Sequence, residues 1–301
     1  MSSFVSEPKR LLVTGGRGRL ASLIADHFRA PAHRITLFSR TYGEGFQSLD
    51  KLSDVLPDAD ALLHLAWSTL PATSEQGGGI EWKNDLPPLE SLLQTIAALP
   101  PLRRPHFIFF SSGGTVYGNA PGRANVESDL CQPIGWYGRA KLAAEQVINA
   151  HMARHGLDCA ILRISNPYGY PVPKNRVQGV IPHAIRCSAT AQPLTLWGDG
   201  SARKDFLYYT DFLSALEHVI ERRLTGTFNL SAHESHSVNE VIALVKKHTG
   251  RPITLEHQPA PPWDVHDSRL DHSNFVTATG WQPQVPLTEG IRRAAAGYVG
   301  T

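Results

Sequence analysis

Apolar residues in the first half of this chain fall into short unbroken runs. Between the runs lie longer stretches in which they recur every third or fourth position. Arg10-Leu-Leu-Val-Thr14, Arg34-Ile-Thr-Leu-Phe38, Ala61-Leu-Leu-His-Leu65, His106-Phe-Ile-Phe-Phe110 and Cys159-Ala-Ile-Leu-Arg163 read as β-strands. Leu20 to Arg29, Glu81 to Leu99 and Tyr137 to His155 read as helices, with Pro87 and Pro88 disturbing the first turns of the second. Strands of near-continuous apolar content that alternate with helices predict an α/β fold, a parallel sheet covered on both faces.

The pattern loosens after Asn166. Tyr168 to Asn175 is a predicted loop, rich in Pro and Tyr. Helices are expected over Val180–Ser188, Thr210–Arg222 and Val238–Thr249, and strands over Leu194–Trp197, Asp205–Tyr209 and Thr227–Leu230. A Pro-rich stretch runs from Gln258 to Trp263. This half predicts a smaller α+β unit, with the chain crossing between domains more than once.

Composition narrows the class only a little. The chain has 301 residues, enough for one large core or two domains. Its formal net charge of +2 gives no electrostatic reason to expect nucleic acid or a membrane surface. No apolar run is long enough to span a bilayer, and Met1–Pro8 lacks a signal-peptide core. Cys131, Cys159 and Cys187 show neither metal spacing nor a disulfide framework, so a reducing cytoplasm is expected. The fourteen histidines form no metal site by spacing.

Two local patterns carry chemistry. Tyr137-Gly-Arg-Ala-Lys141 places a phenol and an ammonium four residues apart, on one helix face. A Lys beside a Tyr favours the phenolate and is expected to lower the Tyr pKa, so that the phenol can exchange a proton with a sugar hydroxyl or ketone. Tyr170-Pro-Val-Pro-Lys174 has the same spacing but is a decoy, since two prolines forbid a helix there. The second pattern is Thr14-Gly-Gly-Arg-Gly-Arg-Leu-Ala21, directly after a strand and opening a helix. That is the setting of a dinucleotide fingerprint, in which glycines let a diphosphate approach free helix amides. An Asp or Glu at the end of the second strand would bind the ribose 2′-hydroxyl of NAD. Here Ser39 and Arg40 stand there, and Arg40 suits a 2′-phosphate, so NADP is expected ahead of NAD.

Together these features resemble the extended short-chain dehydrogenase/reductase family, in its nucleotide-sugar epimerase/dehydratase branch. Thr14–Ala21 is similar to the family's Thr-Gly-x-x-Gly-x-x-Gly loop, and Asp60-Ala-Leu-Leu-His-Leu-Ala66 to its Asp-x-x-x-His-Leu-Ala strand. Asn84, Ser111-Ser-Gly-Gly-Thr-Val-Tyr-Gly118 and Leu162-Arg-Ile-Ser-Asn-Pro-Tyr-Gly169 match further segments. So do Gly198-Asp-Gly200, Lys204-Asp-Phe206 and Thr279-Gly-Trp-Gln-Pro283.

The resemblance implies a Rossmann-type doubly wound sheet over 1–165 plus about 207–236, and a substrate cap over 166–206 plus about 237–301. It implies that Tyr137 is the acid/base at a sugar hydroxyl and that Lys141 holds the nicotinamide ribose. It places the cofactor against Gly15, Arg17, Gly18, Arg19, Leu20, Ser39, Arg40, Leu65 and Ala66. A nucleotide-diphosphosugar would lie against Asn166, Val180, Trp197, Lys204 and Asp264, with Leu196 beside Trp197 at the base. Glu81–Leu99 and Tyr137–His155 would pair two subunits of a homodimer.

Three departures matter. The family's hydroxyl after the Ser-Ser pair falls on Gly113, so Thr115, Ser112 or a water is the replacement. Gly114-Thr115 stands where dehydratases carry Asp-Glu, which argues against elimination of water. Lys204 replaces one diphosphate-clamping Arg and the other is missing near Pro261, leaving Arg203 and Arg269 as substitutes. The leading expectation is a nucleotide-diphosphosugar 4-epimerase. The alternatives are an NADPH-dependent 4-ketoreductase and a non-catalytic NADP-binding sensor.

Overall fold

The computed structural model describes residues 8–29, 33–41, 43–120, 122–171 and 178–299. The N-terminal stretch and most of the Tyr170–Lys174 decoy lie outside them. Elements run in order β1 (Lys9–Thr14), α1 (Arg19–Phe28), β2 (His33–Ser39), β3 (Gln47–Ser48), α2 (Leu52–Val55), β4 (Ala61–His64), α3 (Pro71–Gln76), α4 (Glu81–Asn84) and α5 (Leu86–Ala98). Next come β5 (His106–Ser112), α6 (Gly113–Val116), α7 (Trp136–His155), β6 (Cys159–Ile164), β7 (Asn166–Tyr168), α8 (Val180–Thr190), β8 (Leu194–Trp197) and β9 (Arg203–Tyr208). The chain closes with α9 (Tyr209–Glu221), β10 (Gly226–Leu230), β11 (Ser235–Ser237), α10 (Val238–Thr249), β12 (Leu255–Gln258), α11 (Ser273–Thr279) and α12 (Leu287–Val299).

A seven-stranded sheet has the order β10-β6-β5-β4-β1-β2-β3. β1 pairs in parallel with both β2 and β4, and β4 with β5. The doubly wound reading therefore holds. The strands are apolar on both faces because helices cover both: Leu11, Leu12, Val13, Leu62 and Leu63 are all buried. On α1, Ala21, Ile24, Ala25 and Phe28 form one buried stripe at helical spacing. Leu89, Leu93 and Ile96 of α5 join Ala144 and Ile148 of α7 in a core with Phe38, Phe107 and Phe109.

The helix expected over Glu81–Leu99 is broken. Asp85 leaves helical geometry at φ −120°, and α5 restarts with Pro87 in its first turn, where a missing N–H breaks no hydrogen bond. The break turns the Asp85 side chain inward.

The chain separates into two compact units. The first is Met1–Ser111, Trp136–Leu162 and Leu216–Thr227; the second is Ser112–Gly135, Arg163–Ala215 and Phe228–Thr301. This division differs from the expected one chiefly in Ser112–Gly135, which groups with the second unit. The reason is a buried cluster of Val116, Tyr117 and Leu270, with Cys131 against it. Tyr117 Oη donates to Asn229 Oδ1 at 2.8 Å and accepts from Arg163 Nη1 at 2.8 Å. The second unit has its own core, in which Ile181 and Ile185 of α8 meet Val241 and Val245 of α10 and Ile291 of α12. The 287–299 helix was not read from the sequence, although its apolar stripe is real. α10 begins on a capping box: Ser237 Oγ accepts from Glu240 N at 3.1 Å, and Ser237 N donates to Glu240 Oε2 at 2.6 Å.

None of the three cysteines forms a disulfide among the described residues. No helix among the described residues is long and apolar enough to cross a membrane. No group of three or more His, Cys, Asp or Glu among them is placed to hold a metal ion.

Candidate active site

The glycine turn is tied into the sheet on three sides. Gly16 N donates to Phe38 O at 2.9 Å and Gly18 N to Gly15 O at 2.8 Å. Gly15 has φ +71°, and a Cβ there would lie 2.7 Å from Ala66 N and 2.8 Å from the Leu65 carbonyl carbon. Only glycine allows the turn to lie this close to the end of β4. Thr14 Oγ1 accepts from Ala66 N at 3.3 Å and lies 3.0 Å from His64 Nδ1, which locks the Leu65–Ala66 backbone beside the turn. Gly18 caps α1 with no side-chain hydrogen bond, and the first turn holds no acidic residue. The amides of Arg19 and Leu20 therefore open a helix N-terminus suited to an anion. The close-packed turn and the open helix N-terminus fit the diphosphate of a dinucleotide.

The expected cofactor arginines separate. Arg17 donates to Thr41 O at 3.3 Å and stacks on Phe46 at 5.0 Å. Ser39 is buried and accepts from Thr41 N at 3.2 Å. Arg40 is exposed and makes no hydrogen bond or ion pair among the described residues.

Tyr137 and Lys141 share one face of α7, and the Lys ammonium lies 5.7 Å from the phenol ring centre. Tyr137 is half-buried, while Lys141 is buried. Lys141 Nζ donates to Phe110 O at 2.9 Å and sits 3.8 Å from the centre of the Trp67 ring and 4.7 Å from that of Phe109. Burial pulls the ammonium down to about 7, against the opposing pull of Asp85, Glu145 and Glu81.

The phenol moves the other way from expectation. Burial raises the Tyr137 pKa, and the carboxylates of Glu81 and Asp85 raise it further. The lysine's hydrogen bond goes to the Phe110 carbonyl instead, and two acids face the phenol. His64 is pushed down to about 3, by burial first and Lys141 second, and stays neutral.

Glu81 and Asp85 escaped the sequence reading. Ser68 donates to Asp85 Oδ2 from its amide at 3.1 Å and from its hydroxyl at 2.5 Å. Thr69 Oγ1 donates to Glu81 Oε1. Burial raises the Asp85 pKa, moderated by the Ser68 bonds, Lys141 and Arg40. The one sequence signal was Pro87, whose helix break aims Asp85 inward. Asn84, singled out by the family pattern, is exposed at the end of α4.

The low Lys141 pKa makes a stability prediction. The amine titrates near 7 in the folded chain and near 10.5 unfolded, so the unfolded chain binds more protons between those values. Stability therefore gains from this group as pH rises through that window, and Lys141→Met is expected to remove the gain. Urea midpoints at several values between about pH 7 and 9 would show it as a flattened slope.

The remaining candidates belong to the second unit. A cleft of about 200 Å³ is lined by Asn166, Tyr168, Val180, Lys204 and Phe206, among others. Asn166 Nδ2 donates to Asp205 O at 2.8 Å, which braces β7 on β9. Lys204 Nζ is already engaged, with Asp264 Oδ1 at 2.8 Å and with Val265 O. The two arginines expected as substitutes are also occupied. Arg203 donates to Ser235 O at 2.5 Å, and Arg269 grips Asp267 through two bonds of 3.1 and 2.6 Å. Trp197 is 54% exposed at the end of β8 and does not line the cleft. Ser112 ends β5, and Thr115 sits on α6 with a buried, unpartnered hydroxyl.

Comparison with known proteins gives the site a family. The model of the NAD dependent epimerase/dehydratase family matches residues 11–231. The chain is 27% identical to a UDP-glucose 4-epimerase of Mycolicibacterium smegmatis, over 94% of this chain and 96% of that protein. It is 25% identical to UDP-glucuronic acid decarboxylase 1 of Danio rerio, over 96% of this chain and 73% of that protein. The solved structure of Thermus thermophilus UDP-glucose 4-epimerase in complex with NAD superposes with a TM-score of 0.86 at 23% identity, covering 97% of this chain and 99% of that one. With the glycine cradle, the Tyr137–Lys141 pair and the family match over most of its length, the chain belongs to the NAD dependent epimerase/dehydratase family.

Proposed function

We propose that this chain is an NAD(P)-dependent nucleotide-diphosphosugar 4-epimerase that works through Tyr137 and Lys141. One observation carries the reading. Lys141 sits over Trp67, the residue next to Ala66, whose amide backs Gly15. The proton-transfer pair and the diphosphate cradle therefore belong to one continuous site.

The bound nicotinamide supplies the hydride acceptor and donor. Gly15, Gly18, Arg19 and Leu20 hold the diphosphate, Leu65 and Ala66 back it, and Lys141 binds the nicotinamide ribose. Tyr137 Oη, after its own proton has passed to solvent, would take the O4 proton of the sugar while a bound nicotinamide would accept the C4 hydride, and would return that proton when the ketone is reduced on its other face. The high Tyr137 pKa keeps the resting phenol protonated, so the oxidation half-reaction accelerates as pH rises. Ser112 or Thr115 supplies the hydroxyl that orients the sugar oxygen. Asn166, Val180, Lys204 and Asp264 take the nucleotide diphosphate, and the exposed Trp197 stacks on the base. Two copies pair through Glu81–Leu99 and Tyr137–His155, and cysteines without a disulfide framework suit a cytoplasm.

A 4-ketoreductase is the second reading. A phenol held in its acid form is ready to donate to a ketone, and Arg40 suits the 2′-phosphate of NADPH. Arg40→Ala is expected to weaken NADPH by about tenfold and leave NADH unchanged, read as a ratio of dissociation constants. An unchanged ratio would assign the chain to NAD.

The deciding experiment adds UDP-, dTDP- and GDP-sugars and their 4-keto forms to the purified protein and follows the absorbance of reduced nicotinamide. Sugar interconversion without net change in the cofactor supports the epimerase. Net oxidation on a keto-sugar supports the reductase. Binding with neither supports the non-catalytic sensor.

A further inference from the structure

Three consecutive residues after β4 each grip one member of the reaction centre. Trp67 lies under the Lys141 ammonium at 3.8 Å, Ser68 bonds Asp85, and Thr69 bonds Glu81. Lys141 lies far in sequence from Glu81 and Asp85, and the three residues after β4 meet both. The indole is also held in an unusual way. Its N–H is buried without an acceptor among the described residues, a cost that phenylalanine or leucine would not carry. Its ring packs edge-on against Phe109, with centres 5.9 Å apart, and turns its face to the ammonium. What favours tryptophan at this place is therefore its π face, the strongest aromatic seat for a cation.

We propose that Trp67 is a positioning residue for the reaction: its indole face seats the Lys141 ammonium and keeps it charged, while Ser68 and Thr69 fix the acidic neighbours. The ammonium has lost most of its water, and its hydrogen bond to the Phe110 carbonyl supplies only part of the replacement. The groups that face it are Tyr137 and Glu145 from α7, Asp85 and Glu81 from α4 and the turn after it, and His64 from β4. Arg40, beyond β2, acts on Asp85. Ser111 Oγ occupies Glu145 Oε1 at 2.5 Å, and Ser68 and Thr69 occupy the other two acids. Trp67 is the nearest of the three rings that face the cation, at 3.8 Å against 4.7 Å for Phe109 and 5.7 Å for Tyr137. The role in catalysis rests on the Tyr137–Lys141 reading of function; the cation seat itself does not.

The test is the ionisation of Lys141 in cofactor-free protein labelled at lysine 13Cε, its signal assigned by its loss in Lys141→Arg. The wild-type midpoint is expected near 7. Trp67→Leu keeps the surroundings apolar but removes the nearest π face and leaves only the more distant Phe109 and Tyr137 rings, so the midpoint should fall by about one pH unit. Trp67→Phe restores a weaker face and should recover part of that shift. It also keeps the question answerable if the leucine variant fails to fold, because it must still lie below wild type. Folded variants with the wild-type midpoint would overturn the seat. In turnover, Trp67→Leu should lower kcat with little change in KM, and Trp67→Phe should rescue it. A shifted midpoint with unchanged kcat would overturn the positioning role. A wild-type chain inactive on every nucleotide sugar would remove the functional reading, while the lysine titration would still decide the seat.

Discussion

Tyr137→Phe is expected to abolish turnover of nucleotide sugars, by about a hundred- to ten-thousand-fold, while cofactor affinity stays near wild type. The substitution removes one oxygen and leaves the ring in its half-buried place on α7. Lys141 does not hang on that oxygen: its bond is to Phe110 O, and its ring contact at 3.8 Å is with Trp67. The Lys141 amine should therefore remain where it is. Single-turnover kinetics with pre-bound cofactor would isolate the chemical step. In wild type the rate of sugar oxidation should climb with pH well past neutrality, because burial, Glu81 and Asp85 all raise the phenol pKa. That climb should vanish in the variant. A Tyr137→Phe protein that keeps both the rate and the climb would mean that another group moves the proton.

Placing at position 113 the hydroxyl that the family resemblance leads one to expect there is expected to damage the protein. A Cβ at Gly113 would stand 2.3 Å from Leu270 Cδ1 and 2.9 Å from the Arg163 carbonyl oxygen. Leu270 can rotate away at some cost, but the carbonyl belongs to the β6 backbone and cannot. Gly113→Thr should therefore destabilise the fold by about 2–3 kcal/mol, the range of an overpacked core. Thermal denaturation would show it as a melting point lowered by several degrees, roughly 2–4 °C per kcal/mol. Activity should not rise. A variant with wild-type melting and faster turnover would show that position 113 has room for the family's hydroxyl. The glycine is thus explained by packing inside the second unit, and Thr115 and Ser112 stay the candidates for the missing group.

The parts of the fold that were legible in the sequence share a physical origin. β1, β4, β5 and β6 are buried over most of their length, so their runs are dominated by apolar residues, while β2 is only partly buried; the limits of all five are legible within a residue or two. β3, β11 and β12 are short, with few apolar residues, and carry no such signal. α12 was missed because Ala, Gly and Arg dilute its stripe, although Ile291 and Ala295 are buried. The Glu81–Leu99 helix was read as one because its apolar spacing runs on past Asp85. The break comes from Pro87 preferring a first turn, which periodicity does not register.

The site divides in the same way. By itself the sequence determined the dinucleotide turn, the Tyr137–Lys141 spacing and the lack of an acid after β2, since each depends on residues within one turn or one helix. Only the tertiary structure decided the charge around that pair. Glu81 and Asp85 come from outside α7, and their charges together with burial reversed the expected direction of the Tyr137 shift. It also decided that Lys204, Arg203 and Arg269 are already held by Asp264, Ser235 and Asp267. Spacing can place two groups on one helix face. Ionisation depends on burial and on every charge within a few ångströms, and those are set by parts of the chain that only folding brings together.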